Sequence, residues 1–105
     1  MSLRVELTNQ LKKVHGIEEK LWSAHPGFTS FNYRGKEVAH FDSNNELDVR
    51  LTKKIIKQES LEHPRDSTKH PNRYRSKSHW IVLPFRRRNH INDIVRLVKL
   101  AISCP

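Results

Sequence analysis

The 105-residue sequence holds one cysteine, three glycines and five prolines, and only 11 acidic residues stand against 20 basic ones. A single cysteine, Cys104, excludes an internal disulfide and a cysteine-built metal cluster, and makes a reducing, cytoplasmic compartment the expectation. Three glycines cannot build a glycine-rich phosphate fingerprint, so no cofactor motif is present and any cofactor stays unidentified. No apolar run approaches the roughly 18–20 residues that span a bilayer, the greasiest stretch being residues 81–85. The chain is polar from Arg4 onward, so no secretory leader and no membrane role are expected. The length fits one small domain.

What is abundant is positive charge, and it is uneven. Residues 62–90 carry +6 of the net +9, with eight basic residues and two acids. Such an asymmetry favours anionic partners: phosphate, nucleic acid or carboxylates.

Apolar spacing at Leu3, Leu7, Leu11, Val14, Ile17 and Leu21 predicts a first helix, kinked at Gly16 and stopped by His25-Pro26-Gly27. The period then changes to two. Runs at residues 28–33, 37–41 and 47–51, separated by turns at Arg34-Gly35-Lys36 and residues 42–45, predict a three-strand antiparallel meander. Alternation of Leu47, Val49 and Leu51 with Asp48 and Arg50 gives the third strand one wet face. Thr52 is placed to cap a short helix over residues 53–59 that buries Ile55 and Ile56. A long basic loop, residues 60–78, precedes a strand at 79–85 and a final helix capped by Asn89, with Ile91, Ile94, Val95, Val98, Ala101 and Ile102 inward. The expectation is a two-layer α+β domain: a four-stranded antiparallel sheet packed by N- and C-terminal helices.

The loop carries the strongest candidates. Arg65, Ser67, Thr68, Lys69, Arg73 and Arg75 supply donors suited to a phosphate or carboxylate. Arg86, Arg87 and Arg88 add charge before the last helix, where free backbone N–H groups also favour anions. His63, His70 and His40 are the residues suited to proton transfer. His40, alternating with Phe41, falls on the face opposite the core, where Asp48 and Arg50 of the next strand can join it. A cross-strand structural pairing is the competing role for that histidine. A metal site is not expected, because His63, Asp66 and His70 match no standard zinc spacing and the surrounding charge is positive. The run from Asp42 to Lys53 fails as a calcium loop, lacking glycine at its sixth position and glutamate at its twelfth.

The segments Arg34-Gly35-Lys36-Glu37-Val38-Ala39-His40-Phe41, Glu46-Leu47-Asp48-Val49-Arg50-Leu51, His63-Pro64 with Asp66-Ser67, and Trp80-Ile81 resemble the luciferase-like domain family. These are small bacterial proteins named for similarity to a fungal luciferase. The likeness runs from about Gly27 to Ile102 and implies an α+β domain with a hint of oxidative activity, without a catalytic set to carry over. In element order alone the chain is similar to the double-wing group of small cytoplasmic proteins, which suggests DNA binding. The leading expectation is a binding domain for an anionic small molecule. The alternatives are a non-specific nucleic-acid-binding module, a small oxidoreductase-like enzyme, and a surface for an acidic protein partner.

Overall fold

The computed structural model describes residues 2–22, 28–67, 69–70, 72–73 and 78–103. It is an α+β domain with the order α1 (Leu3–Lys12), β1 (Ile17–Leu21), β2 (Thr29–Tyr33), β3 (Lys36–Ser43), β4 (Glu46–Arg50), α2 (Lys53–Gln58), β5 (Trp80–Pro84) and α3 (Arg88–Ser103). The five strands form one antiparallel sheet in sequence order. No helix among the described residues is long and apolar enough to cross a membrane.

The first helix is shorter than its apolar spacing predicts, and its second half is a strand. Ser2 caps α1, its hydroxyl accepting from the Val5 N–H at 3.1 Å. The helix closes at Lys13, and Gly16 then takes φ +88°, a left-handed conformation that turns the chain into β1. A Cβ at Gly16 would lie 2.5 Å from Cε2 of Tyr33, so the missing side chain also lets that ring close over the turn. Val14 and Ile17 still pack on the core, whereas Leu21, the last member of the stripe, is 73% exposed. A spacing of three therefore fits both a helical turn and a turn leading into a strand. The charged side chains of β1, Glu18, Glu19 and Lys20, suit an edge that must not pair further.

The meander and the later elements follow the expected pattern. Arg34 and Gly35 both have positive φ, 53° and 80°, as a tight two-residue hairpin turn requires. Thr52 caps α2 at φ +79°, a costly conformation for a β-branched residue. It is held there by His79, whose carbonyl accepts from the Thr52 N–H at 2.9 Å and whose Nδ1 accepts from the Lys53 N–H at 3.2 Å. Asn89 does not cap α3. The helix begins at Arg88, and the Arg86 N–H donates to Nδ1 of His90.

One sheet face and the helices enclose the core. Phe31, Ala39, Phe41, Leu47, Val49, Ile81 and Leu83 meet Leu7 and Leu11 of α1, Ile55 and Ile56 of α2, and Ile91, Ile94, Leu97 and Val98 of α3. The opposite face is not the wet one that alternation along β4 suggests. Asp48 is only 1% exposed and its register partner Val82 only 2%. The loop after α2 roofs Asp48: its Ser67 is buried, and its His70 and Arg73 reach the carboxylates of the strands.

Candidate functional site

Beneath that roof, β3 and β4 bring ionisable side chains together. Regular alternation directs His40 and Asp42 away from the core. In β4 it directs Asp48 the same way, directly opposite His40. A bulge then adds a residue that spacing alone does not foresee. The register passes from Phe31↔Ala39 to Asn32↔Glu37, leaving Val38 unpaired and turning Glu37 onto the face of His40. A second irregularity, between Phe41 and Ser43, falls at Asp42.

The distances define one compact cluster. Nδ1 of His40 is 2.6 Å from Oε1 of Glu37, and its Nε2 lies 3.2 Å from Oδ1 of Asp42 and 3.4 Å from Oδ2 of Asp48. His70 enters from the loop, its Nε2 3.3 Å from Oδ2 of Asp42 and 3.5 Å from Oδ2 of Asp48. Arg73 donates to Oδ1 of Asp48 at 2.5 Å. Ser67 Oγ accepts from the His70 N–H at 3.1 Å, which fixes the loop where His70 enters. The His40 ring is held between Phe28 and Trp80, with centroids at 5.6 and 5.2 Å.

Electrostatics follow from this packing. Burial opposes a charge on His40, but hydrogen bonds to Asp42, Asp48 and Glu37 outweigh it and push the imidazole pKa up to about 10. Burial likewise opposes a charge on Asp48, yet hydrogen bonds from His40 and Arg73 hold its carboxyl below the usual range. His63 is shifted the other way, first by burial and then by the nearby Arg73 charge, so it stays a neutral imidazole. Two buried side-chain atoms among the described residues lack a hydrogen-bond partner: Oδ2 of Asp42, within the cluster, and Nδ1 of His63, within electrostatic reach of it.

The candidates named from sequence are dispersed. His40, His70, Arg73 and Ser67 converge here, while Arg65 and Lys69 lie exposed on the loop. Thr68 and Arg75 fall outside the described residues. Arg86, Arg87 and Arg88 stand at the far end of the sheet, where Phe85 donates to the Asn45 carbonyl and Arg88 reaches Glu6 of α1 at 3.3 Å. Asp42 and Glu37 join the cluster although neither is among the candidates the sequence offers for proton transfer or anion binding. The spacing of two from His40 is a sequence signal for Asp42, whereas Glu37 carries none, since its position depends on the bulge.

A cleft of about 670 Å³ opens beside the cluster, at the sheet end where the β2–β3 turn, the end of β4 and the start of β5 meet the last turn of α3. Tyr33 and Trp80 form walls, and Val38, Ala101 and Ile102 supply apolar surface. Arg34, Lys36 and Arg50 are its cations, against one carboxylate, Glu37, already engaged by His40. Glu37 and Trp80 therefore belong to both the cleft and the cluster.

No curated protein and no solved structure is significantly similar to the chain. The family model described as the luciferase domain matches residues 35–101, which include every ionisable side chain of the cluster. A match over well more than half of the 105 residues places the chain in the luciferase-domain family.

Proposed function

We propose that this domain binds a small, planar, anionic organic molecule in the cleft beside His40. The observation that carries the reading is the shared wall: Glu37 and Trp80 line the cleft and also touch the buried imidazole. A volume of about 670 Å³ lies within the usual range of small-molecule sites. Tyr33 and Trp80 offer aromatic surface, and Arg34, Lys36 and Arg50 offer charge for a carboxylate or phosphate. Arg73, a leading candidate from sequence, is turned to Asp48 and supports the ligand site by holding the loop in place. A bound molecule meets Glu37, which is hydrogen-bonded to His40 behind it, so proton transfer relayed through Glu37 is the chemistry this arrangement serves. The single cysteine suits a reducing compartment, and the proposal sets the domain in the cytoplasm.

Thermal unfolding tests the proposal against cinnamate, inorganic phosphate, AMP, flavin mononucleotide, and short DNA and RNA, at low and high salt. A probe at about 100 times its dissociation constant adds about 2.7 kcal/mol of stability. The expected result is a shift with an aromatic anion that persists at high salt and is lost in Arg50→Ala. A shift confined to polynucleotides and abolished by salt overturns the reading in favour of phosphate-backbone binding.

A further inference from the structure

We infer that His40, Asp42, Asp48 and His70 form a binding site for one divalent first-row transition-metal ion, independent of the cleft ligand. Each offers one ligand atom, and these atoms all lie within 4.8 Å of one another. The four imidazole-to-carboxylate separations are 3.2, 3.4, 3.3 and 3.5 Å. A four-coordinate ion with bonds of 2.0–2.1 Å sets its ligand atoms about 3.3–3.4 Å apart, the tetrahedral edge. His40 meets Oδ1 of Asp42 and His70 its Oδ2, so with one oxygen taken from each carboxylate three of the six ligand edges already stand near that length, and the ion draws in the others, all within 4.8 Å.

Three further observations point the same way. Oδ2 of Asp42, on a side chain only 2% exposed, has no hydrogen-bond partner, and its polar neighbour is the His70 nitrogen at 3.3 Å. Glu37 engages Nδ1 of His40 at 2.6 Å, the outer carboxylate contact that orients a metal-bound imidazole through its other nitrogen. Arg73 occupies Oδ1 of Asp48, leaving Oδ2 to face the histidines. Charge also balances: a dication and the Arg73 guanidinium offset Asp42, Asp48 and Glu37, with both imidazoles neutral. The basic character of the loop does not oppose this, because Arg73, the loop cation placed on Asp48, is outnumbered there by Asp42, Asp48 and Glu37. Two nitrogens with two oxygens favour a zinc-like ion over calcium or magnesium, which prefer all-oxygen shells and, for calcium, longer bonds.

Isothermal titration of chelator-treated, full-length protein with Zn²⁺ tests the site, with Ca²⁺ and Mg²⁺ as comparisons. One Zn²⁺ per chain is expected, with a rise in unfolding temperature and no comparable response to Ca²⁺ or Mg²⁺. His70→Ala, a change on the roofing loop, and Asp42→Asn should each weaken binding at least 100-fold. Glu37→Gln should weaken it roughly 10–100-fold, and His15→Ala, on an exposed turn, should leave it unchanged. Circular dichroism confirms that each variant folds, and His70→Ala decides the matter if Asp42→Asn does not. Absence of Zn²⁺ binding overturns the inference, leaving a cluster held by protons alone. Binding that survives both His70→Ala and Asp42→Asn also overturns it. Cinnamate binding to the metal-free protein is scored separately, so the two readings can fail independently.

Discussion

Replacing Arg73 by alanine tests whether the roofing loop is fastened to the sheet through Asp48. The Asp48 carboxylate is 1% exposed, and Arg73 Nη1 sits 2.5 Å from its Oδ1. Deleting a charge-assisted hydrogen bond costs about 1.5–3 kcal/mol, and stranding a fully buried charge raises this toward about 3–5 kcal/mol. Asp48 is not left alone, because Nε2 of His40 remains 3.4 Å away. The lower range therefore applies, about 1.5–3 kcal/mol, or a fall of roughly 7–14 °C in Tm for a domain of this size. Urea unfolding of chelator-treated protein, followed by tryptophan fluorescence, measures the loss. A double-mutant cycle with Asp48→Asn isolates the pair, and a coupling of about 1.5 kcal/mol or more is expected. If Arg73→Ala costs less than about 0.5 kcal/mol, or costs the same beside Asp48→Asn, the loop is held by something else.

Two other outcomes test the fold and the electrostatics. Gly16→Ala should lose at least about 2 kcal/mol in denaturant unfolding, because alanine at φ +88° is strained and its Cβ meets the Tyr33 ring; a neutral effect would contradict the turn between α1 and β1. In metal-free protein, a His40 pKa raised to about 10 makes its contribution complete below the unfolded value near 6.5 and progressively lost as pH rises toward 10. The urea midpoint should fall between pH 7 and pH 10, with a slope of up to about 1.4 kcal/mol per pH unit, and His40→Gln should flatten that slope. A flat wild-type profile over this range would refute the protonated-imidazole picture.

The meander was legible because apolar residues at Phe31, Phe41, Leu47, Val49 and Ile81 alternate with polar ones, and because Arg34-Gly35 suits a tight turn. The last helix was legible from its apolar stripe, and α2 from Thr52 ahead of two isoleucines. The first strand was not. Leu11, Val14 and Ile17 continue a helical spacing, and only the conformation of Gly16 reveals the change of direction. His40 beside Asp48 followed from strand alternation, but Glu37 did not, since an extra residue at Val38 reverses the facing that strict alternation assigns. The loop read as a cationic surface because its composition is cationic. Composition cannot tell that Arg73 and His70 turn inward, which depends on two carboxylates from strands more than twenty residues earlier.

The two sheet faces solve the same packing problem in different ways, and the contrast bears on function. Helices cover one face mainly with aliphatic side chains, and Arg4 of α1, lying over the Phe41 ring, is a partly desolvated charge at its margin. On the other, Val82 shows that an apolar side chain is also accommodated in a buried position. Its register partner is nevertheless Asp48, and around that residue the fold removes Asp42, His40 and part of His70 from water. Well-packed apolar residues often stabilise a site at least as well as a buried ion pair, so structural cover alone does not require these groups. The described residues of the roof are anchored by polar contacts of Ser67, His70 and Arg73 rather than by apolar packing. Buried ligating groups under a polar-anchored loop, with a cationic cleft sharing Glu37 and Trp80, constitute an arrangement for holding an ion or moving a proton beside a bound molecule. On this account Arg73→Ala should lower the metal response together with stability, whereas Gly16→Ala, which presses on the Tyr33 wall of the cleft, should lower stability and cleft binding and leave the metal response unchanged.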